Sequence, residues 1–292
     1  MSFKKILNDY HELIKSKQTI LLLATCIFAY LMSAIPLGEF DWLEIFLLSF
    51  STFIAISGTT ILNMYIDRNI DAKMERTKDR PLPSGKVTPK FVLINGIIFT
   101  VMGLSLTLFL KNWLTSFVIF LGFFFDFVIY SMWLKPRTKY SIFFGGIAGG
   151  LPAVAGRIQV IGTIDWIAVL LMLFVLTWIP IHILTLALMP HNLEGYRNAG
   201  VPMWPVASSE QQTMRIIAGS GLINAVIIGI TAILMQINWI VMIIIGAFCA
   251  LMIVLVFMNL VKPTQKLTFT IFKFASAFML LGFVLLYVGV VV

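Results

Sequence analysis

Nine long apolar runs constrain this chain more than any other feature. An apolar stretch of about 18 or more residues with few charges is long enough to cross a bilayer core as a helix. Such stretches recur at about 19–37, 42–65, 91–110, 113–134, 141–161, 165–189, 215–235, 238–261 and 270–291. In lipid each backbone N–H and C=O must be satisfied within its own segment, so runs of this length are expected to be helices. The fold class that follows is all-α: a polytopic membrane bundle of nine transmembrane helices around a central cavity. With only 12% charged residues against 60% hydrophobic, 292 residues could not cover a water-facing surface. The first run is too long for a cleavable signal, and eight more follow it. The expected location is the cell (plasma) membrane of a bacterium or archaeon.

The net charge of +8 invites a nucleic-acid reading, but the placement of the charges gives a simpler one. With the N-terminus inside, every Lys and Arg except Lys111 and Arg157 falls on the interior side of the nine-span topology. That is the positive-inside bias, and it predicts a cytoplasmic N-terminus and an external C-terminus. The basic excess serves topology, so the partners expected are the lipid bilayer and a lipophilic substrate, with no nucleic acid. Cys26 and Cys249 lie within apolar runs, which argues against a disulfide framework or a thiolate metal site.

Residues 1–292 read as a single membrane domain. External connections are short, while two interior loops, about 66–90 and 190–214, carry the length and polarity and are expected to cap the cavity. The first of these holds the chemistry. Asn63, Asp67, Asp71 and Glu75 repeat at every fourth position, which on a helix continuing the second span sets four oxygen-bearing side chains in one stripe. Like charges at that spacing repel, so the stripe makes sense with a cation on it. Hard oxygen ligands that leave room for water and phosphate oxygens suit Mg²⁺. Arg68, Lys73, Arg76, Lys78 and Arg80 are interleaved with the acids, and carboxylate-held metal beside guanidinium and ammonium groups is what grips a diphosphate. Pro81 and Pro83-Ser84-Gly85 are expected to end this helix and turn the chain back.

Asp126 and His182 are ionisable residues set deep within spans, away from the ends, where polar groups are costly and usually functional. Asp126 sits four residues before Tyr130 and is expected on the same face, needing a partner or a wet cavity. His182 follows Pro180 within the sixth span and is expected to face substrate.

The pattern N-x-x-x-D-x-x-x-D followed by Arg80-Pro81 resembles the first aspartate-rich motif of the UbiA-type intramembrane prenyltransferases. The fuller string from Asp67 to Gly85 is similar to the subgroup that farnesylates protoheme IX. Tyr130-Ser-Met-Trp-Leu-Lys135, Gly145-Gly-Ile-Ala-Gly-Gly-Leu-Pro152 and Ala199-Gly-Val-Pro-Met-Trp-Pro-Val206 resemble further stretches of that subgroup, in the same order. The resemblance implies that Asn63, Asp67 and Asp71 carry Mg²⁺ ions bridging an isoprenyl diphosphate. It also implies that Arg76, Arg80 and Lys135 neutralise the leaving charge and that Tyr130 lies at the allylic end. The acceptor implied is heme B, with Asp126, His182 and Tyr196 toward it or the cavity.

There are departures. Gly195 stands where the subgroup usually has an Asp, which leaves Glu194 or Asn192 to supply a second metal cluster, and His182 lacks two neighbouring aromatics. Asp126 occupies a position often Tyr in the subgroup. Pro81-Leu-Pro-Ser-Gly85 also looks like the archaeal ether-lipid enzymes, so a glycerophosphate lipid or a quinone precursor is an alternative acceptor. A transporter of an anionic amphiphile is the rival class, although its polarity would be expected near the midplane of both halves rather than at one end.

Overall fold

The computed structural model describes the backbone of residues 3–292 and side chains from Asn8 onward. Lys4 and Lys5 of the predicted interior basic set lie outside the described side chains. A short amphipathic helix, α1 (Phe3–Leu13), precedes the spans. The helices long and apolar enough to cross a membrane number nine among the described residues. They are α2 (Ser16–Leu37), α3 (Trp42–Asp71), α4 (Pro89–Thr107), α5 (Trp113–Phe123) with its continuation to Leu134, and α6 (Ser141–Ile161). The rest are α7 (Trp166–Ala187), α10 (Glu210–Leu234), α11 (Trp239–Val261) and α12 (Gln265–Val291). The second polar loop is itself partly helical, with α8 (Pro190–Ala199) and α9 (Trp204–Ala207).

Helix starts follow local chemistry. At the far end from the basic loops, Asp41, Asn112, Asp165 and Asn238 cap α3, α5, α7 and α11 by accepting from backbone N–H groups of the first turn. At the basic end Thr88, Ser209 and Thr264 do the same for α4, α10 and α12. Large apolar side chains such as Ile97, Val101, Ile243 and Val254 stay exposed around the outside. Such a surface suits lipid as the surrounding solvent.

Small residues set the closest helix contacts. A Cβ on Gly58 would stand 2.3 Å from the Thr100 backbone nitrogen, and one on Gly103 would stand 2.4 Å from that of Ala55. Only glycine lets the α3 and α4 backbones approach so closely, which is how membrane helices gain packing without a hydrophobic drive. This fixes α3, the helix carrying the carboxylate stripe, along its length.

The predicted course of α3 needs one correction. The helix ends at Asp71, ten residues before Pro81, so Glu75 is not on the stripe. Thr77 Oγ1 donates to the Asp71 carbonyl at 3.0 Å, and Arg80 Nη1 donates to the Asp71 carboxylate at 2.7 Å. These contacts fold the loop back and end the helix. Glu75 is exposed and pairs with Lys78 instead.

The continuation of α5 is a second departure. Phe124–Leu134 forms a π-helix, closed at its end by Lys135 N–H donating to the Tyr130 carbonyl at 2.8 Å. A π-helix bonds i to i+5 and is uncommon over more than one turn.

Candidate active site

Asn63, Asp67 and Asp71 are buried, at 7%, 4% and 4% exposure, along the C-terminal end of α3. Each meets a group from elsewhere in the chain. Asn63 Nδ2 donates to Asp126 Oδ2 at 2.8 Å, Lys135 Nζ pairs with Asp67 Oδ2 at 2.5 Å, and Arg80 pairs with Asp71 Oδ2 at 2.7 Å.

The π segment makes the first two contacts possible together. Asp126 and Lys135 are nine positions apart; in an α-helix at 3.6 residues per turn, nine positions end half a turn away. Bonding to i+5 widens the turn to roughly 4.4 residues, so nine positions come close to two full turns. Asp126, Tyr130 and Lys135 thereby share the face turned to α3. Lys135 Nζ stands 5.7 Å from the Tyr130 ring centroid, and that ring packs 3.3 Å from where a Gly145 Cβ would be. Burial works against the charge on Lys135, but Asp67 beside it raises its pKa overall.

The basic residues divide. Arg80 and Lys135 are in the cluster. Arg68 is turned along its own helix, donating to the Tyr65 carbonyl at 2.7 Å and stacking on that ring. Lys73 and Arg76 are exposed. A cation that the charge pattern alone did not single out also reaches the cluster. Lys15, in the left-handed conformation (φ 45°, ψ 54°) at the break between α1 and α2, lies within electrostatic range of Asp67, Asp71 and Asp126. Burial, followed by Arg80, outweighs the carboxylates and lowers its pKa to about 8. The corner is anchored by Leu13, fully buried in a cluster with Ile61, Met64, Leu82 and Val92. In the sequence Lys15 reads as one of the interior flanking charges, and its place beside the first span is the available signal.

On α8, Asn192 is buried, and Tyr196, one turn on, is in electrostatic range of Tyr130 and Lys135. Glu194 is exposed, on the opposite side of that helix from Asn192. Of the two residues expected to supply a second metal cluster, only Asn192 is therefore on the buried face. His182 lies apart from the ion pairs, stacked between Trp178 and Phe272 at 4.6 and 4.8 Å. The hydroxyl proton of Ser276 goes to the Phe272 carbonyl at 2.7 Å, so its oxygen accepts from His182 Nδ1 at 3.2 Å. This leaves Nε2 as the nitrogen with the lone pair. The aromatics missing beside His182 in sequence are supplied by the preceding turn and by α12.

The oxygens test whether a metal fits. Asn63 Oδ1, Asp67 Oδ1 and Asn192 Oδ1 are buried without a hydrogen-bond donor. A buried acceptor left unpaired costs about 1–3 kcal/mol, so such oxygens are normally satisfied by something. Among the described residues no three acidic, His or Cys side chains cluster tightly enough to hold an ion alone. A hard ion taking amide and carboxylate oxygens and completing its shell with water and phosphate fits this donor set. A groove of about 780 Å³ between the basic ends of α11 and α12 is lined by Val254, Phe257, Met258 and their neighbours, and none of the clustered residues borders it.

Residues 22–289 match the family described as the UbiA prenyltransferase family. The chain is 40% identical over 225 residues to the protoheme IX farnesyltransferase of Korarchaeum cryptofilum, covering 77% of this chain and 74% of that protein. It is 33% identical to the enzyme of the same name from Caldivirga maquilingensis, over 94% of this chain and 96% of that one. In fold it is similar to a solved digeranylgeranylglyceryl phosphate synthase (TM-score 0.79, 23% identity, 98% of both chains). It also resembles a UbiA homologue from Archaeoglobus fulgidus bound to GPP and Mg²⁺ (TM-score 0.66, 15% identity, 97% of this chain and 100% of that one). With nine apolar helices and a family match over nearly its whole length, this chain is a multi-pass membrane protein that belongs to the UbiA prenyltransferase family.

Proposed function

We propose that this enzyme transfers the farnesyl group of farnesyl diphosphate to protoheme IX, giving heme O, with Mg²⁺ as its metal, in the cell membrane of a bacterium or archaeon. The observation that carries the reading is the set of free oxygens of Asn63 and Asp67 beside two cations, Arg80 and Lys135, each held by a carboxylate. The 33–42% identity to proteins named protoheme IX farnesyltransferase supports the choice of donor and acceptor.

Asn63, Asp67 and Asp71 would hold the metal, with Asn192 as the only buried oxygen from α8. When bound, Mg²⁺ supplies positive charge that stabilises the departing diphosphate. Arg80, a planar fork, suits two diphosphate oxygens at once, and Lys135 and Lys15 add charge beside it. The exposed Lys73 and Arg76 draw the anion toward the mouth. The allylic C1–O bond breaks with its electrons leaving on the diphosphate. Tyr130 presents a ring face at the allylic end, where a cationic carbon is favoured. A vinyl group of the acceptor gives its π electrons to C1, and water captures the resulting cation on the heme side, losing a proton to solvent. His182, with Nε2 unprotonated, and Tyr196 orient the acceptor.

The test is turnover of the detergent-purified protein with Mg²⁺, farnesyl diphosphate and a panel of heme B, a glycerophosphate lipid and an aromatic quinone precursor. Pyrophosphate release that requires heme B, with a product heavier by a farnesyl and a hydroxyl group, is the expected result. Release with one of the other acceptors instead would reassign the substrate. No release with any acceptor would remove the enzyme reading in favour of transport.

A further inference from the structure

Asp126 is the only carboxylate among the described residues that lies in the middle of a spanning segment, and the reaction outlined above gives it no step. It stands where its charge is expensive unless it is engaged. Its partner is Asn63, the residue that opens the carboxylate stripe, at 2.8 Å.

We infer that Asp126 is a positioning residue for the metal: it holds the Asn63 amide so that Oδ1 faces the ion. The donating end of the amide faces the carboxyl group. Asp126 Oδ2 accepts from Asn63 Nδ2, and an Asn amide has one donating end and one accepting end. With Nδ2 committed to Asp126, the amide plane is fixed and Oδ1 points the other way, where it is buried and has no donor. Without Asp126 the amide is free to flip and offer NH₂ to the metal, which cannot bind it. Outer contacts that orient a ligand commonly change metal affinity by about 10–100-fold. The pairing is parallel to the one a turn along, where Lys135 takes Asp67 Oδ2 and leaves Oδ1 free. Asp126 and Lys135, within and at the end of the π-helix, therefore each engage one atom of a stripe residue, the nitrogen of Asn63 and one oxygen of Asp67, and leave an oxygen of each for the ion. This rests on the reading of Asn63 as a metal ligand, and the experiment separates the two.

The measurement is Mn²⁺ binding by EPR to purified protein, with inorganic pyrophosphate present and no acceptor. N63A is expected to bind at least ten-fold more weakly; unchanged affinity would remove Asn63 from the metal site and with it the functional reading of that residue. D126A is expected to lose about the same factor as N63A. D126N, whose amide oxygen still accepts from Asn63, is expected to stay within a few-fold of wild type. If N63A weakens binding and D126A does not, the positioning role alone is overturned. The exchanged pair covers a D126A protein too unstable to assay. N63D/D126N keeps the hydrogen bond with its polarity reversed, whereas N63D alone sets two carboxylates against each other. The pair is expected to bind Mn²⁺ at least ten-fold more tightly than N63D, and equal affinities would overturn the proposal.

Discussion

The two ends of the bundle both bury charge, and they treat it differently. At the far end Glu44 accepts from Tyr30 at 3.0 Å on one oxygen and from Gln159 at 2.9 Å on the other. Asp165 is gripped by Arg157 at 2.6 Å and by the Ala168 N–H at 2.8 Å, while Arg157 also donates to Ser33. Both oxygens of each far-end carboxylate are engaged. At the basic end Asp67 has one oxygen engaged and one without a donor. At the far end the oxygen left without a donor is the neutral amide oxygen of Gln159, whereas at the basic end it belongs to a carboxylate. Engaged carboxylates specify packing, and a half-open one is poised for a cation to bind. The far end is a clasp joining α2, α3, α6 and α7, and the basic end is a receptacle.

Substitutions should separate the two ends. The largest effect is expected from Asp67→Ala: at least about a thousand-fold less pyrophosphate release, comparable to removing a principal transition-state charge contact. Span insertion should be unchanged, but stability should fall because Lys135 loses the carboxylate that compensates its buried charge, so release is compared per folded protein. Lower stability with undiminished release from the folded protein would make the basic end a clasp as well. Arg157→Ala should cost stability alone. It leaves Asp165 without its guanidinium and should lower stability by about 2–4 kcal/mol, read as a melting shift in detergent, with unchanged turnover in the protein that remains folded. Arg80→Lys keeps the charge but loses the fork, so a roughly ten-fold rise in KM for the diphosphate is expected at nearly constant kcat.

Lys15→Gln tests the cation at the α1–α2 corner. Protonated Lys15 attracts the anion below its pKa of about 8 and is neutral above it. The wild type should therefore lose diphosphate affinity as pH rises through that value, and the variant should show a few-fold weaker binding without that limb. The smallest effect is expected at Glu75→Gln. Its pair with Lys78 is exposed, and such pairs contribute little. Activity within two-fold of wild type is predicted, although Glu75 lies only four positions beyond Asp71; a larger loss would put Glu75 back among the metal-binding acids.

The spans, their number and the Asn63–Asp71 stripe were legible in the sequence because each follows a single regular period. What escaped depended on breaks in that regularity. Glu75 continues the four-residue rhythm on paper, but Thr77 and Arg80 close the helix before reaching it. Glu194 looked like a substitute for an acid at Gly195, yet helical rotation turns it outward and leaves Asn192 inside. The apolar run 113–134 reads as one uniform helix, and nothing in its hydropathy marks the change of pitch at Phe124. The spacing of Asp126 and Lys135 was the one available hint, since both are polar and an ordinary helix would send them to opposite sides.

That change of pitch makes chain length a functional quantity here. Straightening Phe124–Leu134 into ordinary α-helix at unchanged length would send Lys135 half a turn away from Asp126, although the segment could still cross the bilayer. Deleting one residue between them as well would leave the two eight positions apart, the spacing that keeps Asn63 and Asp71 on one stripe. In an alignment, a one-residue gap at this place would therefore mark a relative that presents the same two side chains from an ordinarily wound helix.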